Sequence, residues 1–166
     1  MSWPKQSECD KFYGNPRNRS DPAKPSNAWE SANLVYVQPP FVMRYDGIAL
    51  KRGIRIHRLC ADSLLKVLGR IWEASGRSQA KIDEWGVSIY GGGYTYKLMK
   101  SGRALSMHSW GCAIDLDPER NGYKDNTPNF ANIPEVIATF DAEGWVWGGR
   151  WKDPCDGMHF QAAVMG

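Results

Sequence analysis

Between Leu59 and Ser75 the apolar residues Leu59, Leu64, Leu65, Leu68, Ile71 and Trp72 recur at helical spacing, and Gly76 follows directly. That pattern predicts a helix with one buried face and a glycine stop. Pro134 suits the first position of a second helix, running to about Ala142 and closed by Gly144. Short apolar runs predict strands at Leu34–Val37, Ile54–Ile56, Val87–Tyr90, Cys112–Leu116, Trp145–Trp147 and Met158–Val164. Gly91-Gly92-Gly93 turns the chain from the strand at 87–90 into Tyr94-Thr95-Tyr96-Lys97.

Six of the ten prolines lie in the first 40 residues, beside the turn-forming Gly14-Asn15-Pro16 and Ser20-Asp21-Pro22. Residues 1–33 are therefore expected to form an irregular arm, laid across the rest by Trp3, Phe12, Tyr13 and Trp29. Residues 34–166 then supply a small antiparallel sheet with flanking helices, an α+β domain, and arm and domain make one globular unit.

Composition narrows the function. A chain of 166 residues is long enough for one real core and short for two. The net charge of +3 suits an anionic polymer, but no concentrated basic stripe calls for nucleic acid. No run approaches the roughly 18 apolar residues of a membrane span, so no stable membrane insertion is expected. Residues 1–9 lack the apolar stretch of a secretory signal, which points to synthesis and folding in a cytoplasm. Cys9, Cys60, Cys112 and Cys155 are widely spaced without a C-x-x-C pair and read as free thiols in that compartment. Of the eight tryptophans, Trp110, Trp145, Trp147 and Trp151 crowd the segments described next, where they could line a groove or pack a core.

Two of the three histidines belong to a constellation with metal chemistry. His108 is followed seven residues later by Asp115, and His159 is preceded three residues earlier by Asp156. Two imidazoles and one carboxylate are a ligand set for Zn²⁺ that leaves one position for water, as hydrolysis requires. His108, Asp115 and His159 would hold the metal. Asp156 would serve as general base toward water and then as general acid toward a leaving amine. Ser106 could hydrogen-bond a ligand or the substrate. Lys97 and Lys100 could neutralise an oxyanion or a substrate carboxylate.

Other readings share these residues. His108 with Cys112, and Cys155 with His159, are each four apart and could close a structural His₂Cys₂ zinc site. Cys155 with His159 could form a thiol nucleophile and base, although nothing in the sequence orients the pair. Asp115, Asp117, Glu119 and Asn121 alternate oxygen donors as a Ca²⁺ loop does, but the twelve-residue pattern is incomplete, and a solvated loop is the expectation. His57, between Arg55 and Arg58, reads as an ordinary core or surface histidine.

The blocks Ser106-x-His108-x-x-Gly111-x-Ala113-x-Asp115, Gly144-Trp145-x-Trp147-Gly148-Gly149-x-Trp151 and Asp156-x-x-His159-Phe160 resemble the M15 family of zinc peptidases. That family includes the D-alanyl-D-alanine carboxypeptidases of the VanY type and the L-alanyl-D-glutamate endopeptidases of phage endolysins. The resemblance spans roughly residues 85 to 161, and Cys9-Asp10-x-Phe12-Tyr13-Gly14-Asn15-Pro16 is similar to the arm of phage-encoded members. It implies a fold shared with the hedgehog signalling domain, one Zn²⁺, and hydrolysis of peptidoglycan stem peptides. His108, Asp115 and His159 then match the metal ligands, Asp156 the catalytic acid, and Ser106 the serine of the first block. Lys97 departs from the pattern, because many relatives carry arginine eleven residues before the first ligand. An ammonium still neutralises charge but loses the bidentate grip on a carboxylate.

The expectation is a monomeric zinc peptidoglycan peptidase, acting on the cell wall as a phage endolysin or virion-associated lysin. An L-Ala-D-Glu endopeptidase is favoured over a D-alanyl-D-alanine carboxypeptidase, because lysis needs a cut that breaks the mesh. A catalytically silent zinc module that binds wall peptide or stabilises a virion part is the alternative of another class.

Overall fold

A computed structural model describes residues 2–100, 102 and 104–166 of the chain. In chain order the helices and strands are α1 (Cys9–Tyr13), α2 (Asn27–Asn33), β1 (Leu34–Val37), β2 (Arg44–Tyr45), β3 (Ile48–Ala49), β4 (Ile54–His57), α3 (Ala61–Ala74), α4 (Gln79–Trp85), β5 (Tyr90–Gly92), β6 (Ala113–Leu116), α5 (Pro134–Ala142), β7 (Val146–Trp147) and β8 (His159–Gln161). The fold is α+β. Its main sheet is antiparallel, in the order β5-β6-β8-β7, and β1-β4 and β2-β3 form two small antiparallel pairs.

The amphipathic segment forms α3, which buries Leu64, Val67, Leu68 and Ile71. Pro134 opens α5, and Gly144 follows it in the left-handed region with φ 76°. Alternation along β6 and β8 divides the main sheet into two faces. Ile114, Leu116 and Phe160 face the core, where the Phe160 ring stacks on Phe140 at 4.0 Å. Ala113, Asp115, His159 and Gln161 share the opposite face.

Several regions differ from the sequence-based expectation. The arm is not irregular throughout: it contains α1 and α2, the latter capped by the Ser26 hydroxyl, which accepts from the Trp29 N–H. Its aromatics do anchor it, with Trp3, Tyr13 and Trp29 buried in the core and Phe12 packed against it. The strand expected at 87–90 begins only at Tyr90, because the preceding backbone closes α4 through Val87 N–H to Ile82 O and Ile89 N–H to Gly86 O. Helix α4 itself buries only Ile82, so its polar sequence carries no helical apolar period.

The loop after β6 is built rather than solvated. Asp117 is 1% exposed and accepts from Arg120 Nε at 2.7 Å. The buried Asn121 donates to Asp117 O and accepts from the Phe130 N–H. These oxygens serve the turn itself.

Candidate metal and peptidase site

Asp115 on β6 lies directly opposite His159 on β8. Backbone bonds fall on the alternate positions, Leu116 N–H to Met158 O and Ala162 N–H to Cys112 O. The 115/159 pair is therefore of the non-hydrogen-bonded kind, in which side chains approach most closely. Asp115 Oδ1 stands 3.2 Å from His159 Nδ1.

His108 arrives from a 3₁₀ turn, Met107–Trp110. The Ser106 hydroxyl caps that turn by accepting from the His108 N–H at 3.3 Å. Ser109 Oγ accepts from the Lys97 N–H at 3.0 Å and donates to Lys97 O at 2.9 Å, strapping the preceding segment to the turn. Gly111, with φ 67°, then swings the chain into β6; a Cβ there would approach Leu34 Cδ2 to 2.8 Å and His57 N to 3.0 Å. These restraints leave His108 Nε2 at 3.3 Å from Asp115 Oδ1. One donor atom from each of His108, Asp115 and His159 lies within 4.8 Å of the others, the arrangement a metal ion would need.

Hydrogen bonds behind the imidazoles decide what they present. His108 Nδ1–H donates to Gly93 O at 2.9 Å, a partner that can only accept, so Nε2 offers its lone pair to the site. Gln161 Nε2 donates to Ala163 O at 2.9 Å, which turns Gln161 Oε1 toward His159 Nε2 at 2.8 Å. His159 therefore carries its proton on Nε2 and offers the Nδ1 lone pair. Three lone pairs, one anionic, converge with no proton of a neutral imidazole between them. Such a set repels itself unless a cation or an added proton occupies the centre, and its N₂O donors fit Zn²⁺.

The protonation pattern agrees. Burial alone would raise Asp115, but hydrogen bonds and charge from His108 and His159 hold it well below the usual carboxylate range. Burial would lower His159, and the Asp115 carboxylate outweighs it, so the imidazole is shifted upward.

Asp156 stands apart from the three. Its N–H donates to Gly148 O at 2.9 Å and its carbonyl accepts from the His159 N–H at 3.1 Å. A Cβ at Gly148 would run into Asp156 O, which explains glycine in the Trp147-Gly148-Gly149 block. Asp156 Oδ1 is buried without a partner among the described residues. Burial raises this carboxyl above its usual range, partly opposed by His159. A buried, unpaired carboxylate oxygen beside a candidate metal centre has the character of a proton acceptor.

These residues share a cleft of about 570 Å³, whose wall also includes Lys97, Lys100, Ser106, Tyr123, Trp151 and Met158. Lys100 Nζ lies 4.2 Å from the centre of the Tyr123 ring, and its charge acts on Asp156. Lys97 is exposed on the rim. The Trp151 ring is 5.4 Å from the His159 ring, whereas Trp110, Trp145 and Trp147 are buried in the core.

The cysteine readings find no geometry among the described residues. Cys112 Sγ donates to Met107 O, and Cys155 Sγ donates to Gly149 O. Burial pushes both thiols up, away from thiolate, and neither joins the convergent group. His57 is a core residue whose Nε2–H donates to Tyr13 O and whose Nδ1 accepts from the Leu59 N–H.

Gln161, Gly93 and Gln6 carry parts of the site that sequence reasoning did not find. Gln161 had a signal, since a residue two positions after a ligand on a strand shares its face. Gly93 contributes only a carbonyl, and Gln6 is more than 150 positions away in sequence.

Residues 99–162 match the model of a peptidase M15 family described as D-alanyl-D-alanine carboxypeptidase. That segment holds Lys100, Ser106, His108, Asp115, Asp156 and His159, while Lys97 lies just before it. No curated protein and no solved structure matches the chain.

Proposed function

We propose that the chain is a zinc-dependent peptidoglycan peptidase that hydrolyses a bond of the stem peptide. The observation that carries this reading is the convergence of the His108, Asp115 and His159 lone pairs beside the unpartnered Asp156 Oδ1. The match of residues 99–162 to a peptidase family supports it independently.

In this reading His108 Nε2, Asp115 Oδ1 and His159 Nδ1 would hold the ion. Zn²⁺, when bound, supplies Lewis acidity that polarises the scissile carbonyl and acidifies water. Asp156 takes the proton of the attacking water and passes it to the leaving amine, so that the elements of water are divided between the two products. Burial without a hydrogen-bond partner keeps Asp156 basic enough for the first task. Ser106 acts as a positioning residue by holding the backbone of His108. Lys100, stacked on Tyr123 at the cleft wall, and Lys97 on the rim supply positive charge for a substrate carboxylate or the developing oxyanion.

The L-Ala-D-Glu bond is the proposed cut, with a phage lysin as the setting, because cleavage inside the stem breaks the mesh. A second reading, removal of a terminal D-alanine, is favoured by the description of the matching family and by the cleft lysines. Mass spectrometry of defined tri-, tetra- and pentapeptide stems, incubated with the zinc-loaded protein, separates the two. A new L-Ala/D-Glu cut establishes the endopeptidase; loss of terminal D-Ala alone establishes the carboxypeptidase. No product from any stem, with zinc stoichiometrically bound, overturns both in favour of a silent zinc module.

A further inference from the structure

The metal-facing histidine of β8 is held from behind by a chain of hydrogen bonds that ends in the N-terminal arm. His159 and Gln161 lie two apart on one strand and so share a face. Gln161 is 1% exposed, and every polar atom of its side chain is used: Oε1 accepts from His159 Nε2–H, and Nε2 donates to Ala163 O and to Gln6 Oε1 at 2.8 Å. Gln6 is placed by main-chain bonds to the same strand's continuation, Gln6 N–H to Val164 O and Val164 N–H to Pro4 O.

The arm also grips the other half of the site. Trp110 Nε1–H donates to Asp10 Oδ1 at 3.0 Å, and Cys9 Sγ lies 3.7 Å from Met107 Sδ, both contacts on the turn that carries His108. Tyr13 donates to Ala162 O at 2.6 Å, next to Gln161. Residues 6–13 thus bridge the two segments that supply histidines. They lie far outside residues 99–162, where the family match runs.

We propose that the N-terminal arm is a working part of the metal site, with Gln6 acting through Gln161 as a positioning residue for His159. The inference rests on the metal reading of the site given above. Gln161 fixes both the tautomer and the ring orientation of His159, because an imidazole whose Nε2–H is bonded keeps its Nδ1 lone pair aimed at the ion. Gln6 holds the Gln161 amide from its far side. Without Gln6, one Gln161 donor loses its partner and the amide is restrained by Ala163 O alone.

The test is zinc affinity in the full chain, by competition with a chromophoric chelator, for wild type, Gln6→Ala, Gln161→Leu and Gln161→Glu. Loss of such outer partners typically costs about 10- to 100-fold in metal affinity. Gln161→Leu is expected to fall in that range, and Gln6→Ala to weaken binding by a smaller factor, roughly 3- to 10-fold, since it acts one bond further out. Gln161→Glu still accepts from His159 Nε2–H, and Gln6 can turn its amide to donate, but a carboxylate oxygen then faces Ala163 O, so this variant is expected to recover only part of what Gln161→Leu loses. The d–d absorption of the Co²⁺-substituted protein should shift in Gln6→Ala, a change that loss of general stability would not cause. Gln6 is only half-buried, so Gln6→Ala keeps the proposal testable if Gln161→Leu fails to fold. Wild type that binds zinc, with Gln6→Ala matching it in affinity and Co²⁺ spectrum, overturns the proposal alone. Wild type that binds no zinc overturns the metal reading and the proposal with it.

Discussion

Asp115 and His159 are cross-strand partners, and the pleat delivers them to one another: Oδ1 and Nδ1 stand 3.2 Å apart on the polar face of the main sheet. The sheet register therefore does the work that a dedicated loop would otherwise have to do. Only His108 must be brought in separately, by the capped turn after Ser106.

Asp115→Ala should abolish zinc binding, because it removes the one anionic donor from a three-residue set and leaves two neutral imidazoles. Cys112→Ser with Cys155→Ser should retain one zinc per chain, since both thiols donate to carbonyls elsewhere. Metal content by elemental analysis after dialysis checks both. Zinc lost from the double serine variant but kept in Asp115→Ala would restore the His₂Cys₂ site.

Asp156→Ala should keep both fold and zinc while losing turnover on stem peptides by about 10²- to 10⁴-fold, the usual worth of a positioned general base. Among the described residues no donor is bonded to the buried Oδ1 that it removes, so none of them is orphaned there. Thermal unfolding of the variant should match wild type closely. An active Asp156→Ala enzyme would falsify the base assignment.

Much of this site was legible because strands carry a period of two and helices one of 3.6. Cys112–Leu116 and Met158–Val164 read as strands, and the structure places β6 and β8 within them. Leu59–Ser75 contains α3, and 134–142 is α5. Less legible were short elements without an apolar stripe. Helix α4 depends on the Ser78 hydroxyl accepting from the Lys81 N–H and on Gly86 at φ 83°, a cap and stop without an apolar stripe between them. The β2-β3 hairpin turns on Asp46-Gly47, both at positive φ, a signal present in the sequence but short. The link from Gln6 to Gln161 joins residues at opposite ends of the chain, and no local pattern encodes such a pairing.

His57 predicts a pH-dependent stability. Burial lowers its pKa from 6.5 to about 4, and both ring nitrogens are committed as a neutral imidazole. Well above pH 6.5 the ring is neutral in folded and unfolded chains alike, and this residue takes nothing from stability. As pH falls from 6.5 toward 4, the unfolded chain takes up a proton that the folded chain refuses, and stability declines by about 3 kcal/mol from this residue. Urea unfolding across that range should show wild type taking up roughly one proton more on unfolding than His57→Gln. Equal proton uptake by the two proteins would assign the acid sensitivity to other groups.

Phe160 separates the metal chemistry from the core by a single strand, since its neighbours His159 and Gln161 face the site while its own ring stacks on Phe140 and meets Phe130 at 5.7 Å. Truncating a fully buried phenylalanine typically costs about 3–5 kcal/mol. Phe160→Ala should lose that much in urea unfolding of the metal-free protein. It should also weaken zinc binding without touching a ligand, because β8 then loses the core contacts that hold its register against β6. Phe140→Leu removes the same stack from the far side and leaves the β8 sequence intact. Zinc affinity weakened in Phe160→Ala and nearly unchanged in Phe140→Leu would locate the coupling in β8 itself. Equal losses in both would make the whole aromatic cluster the support of the site.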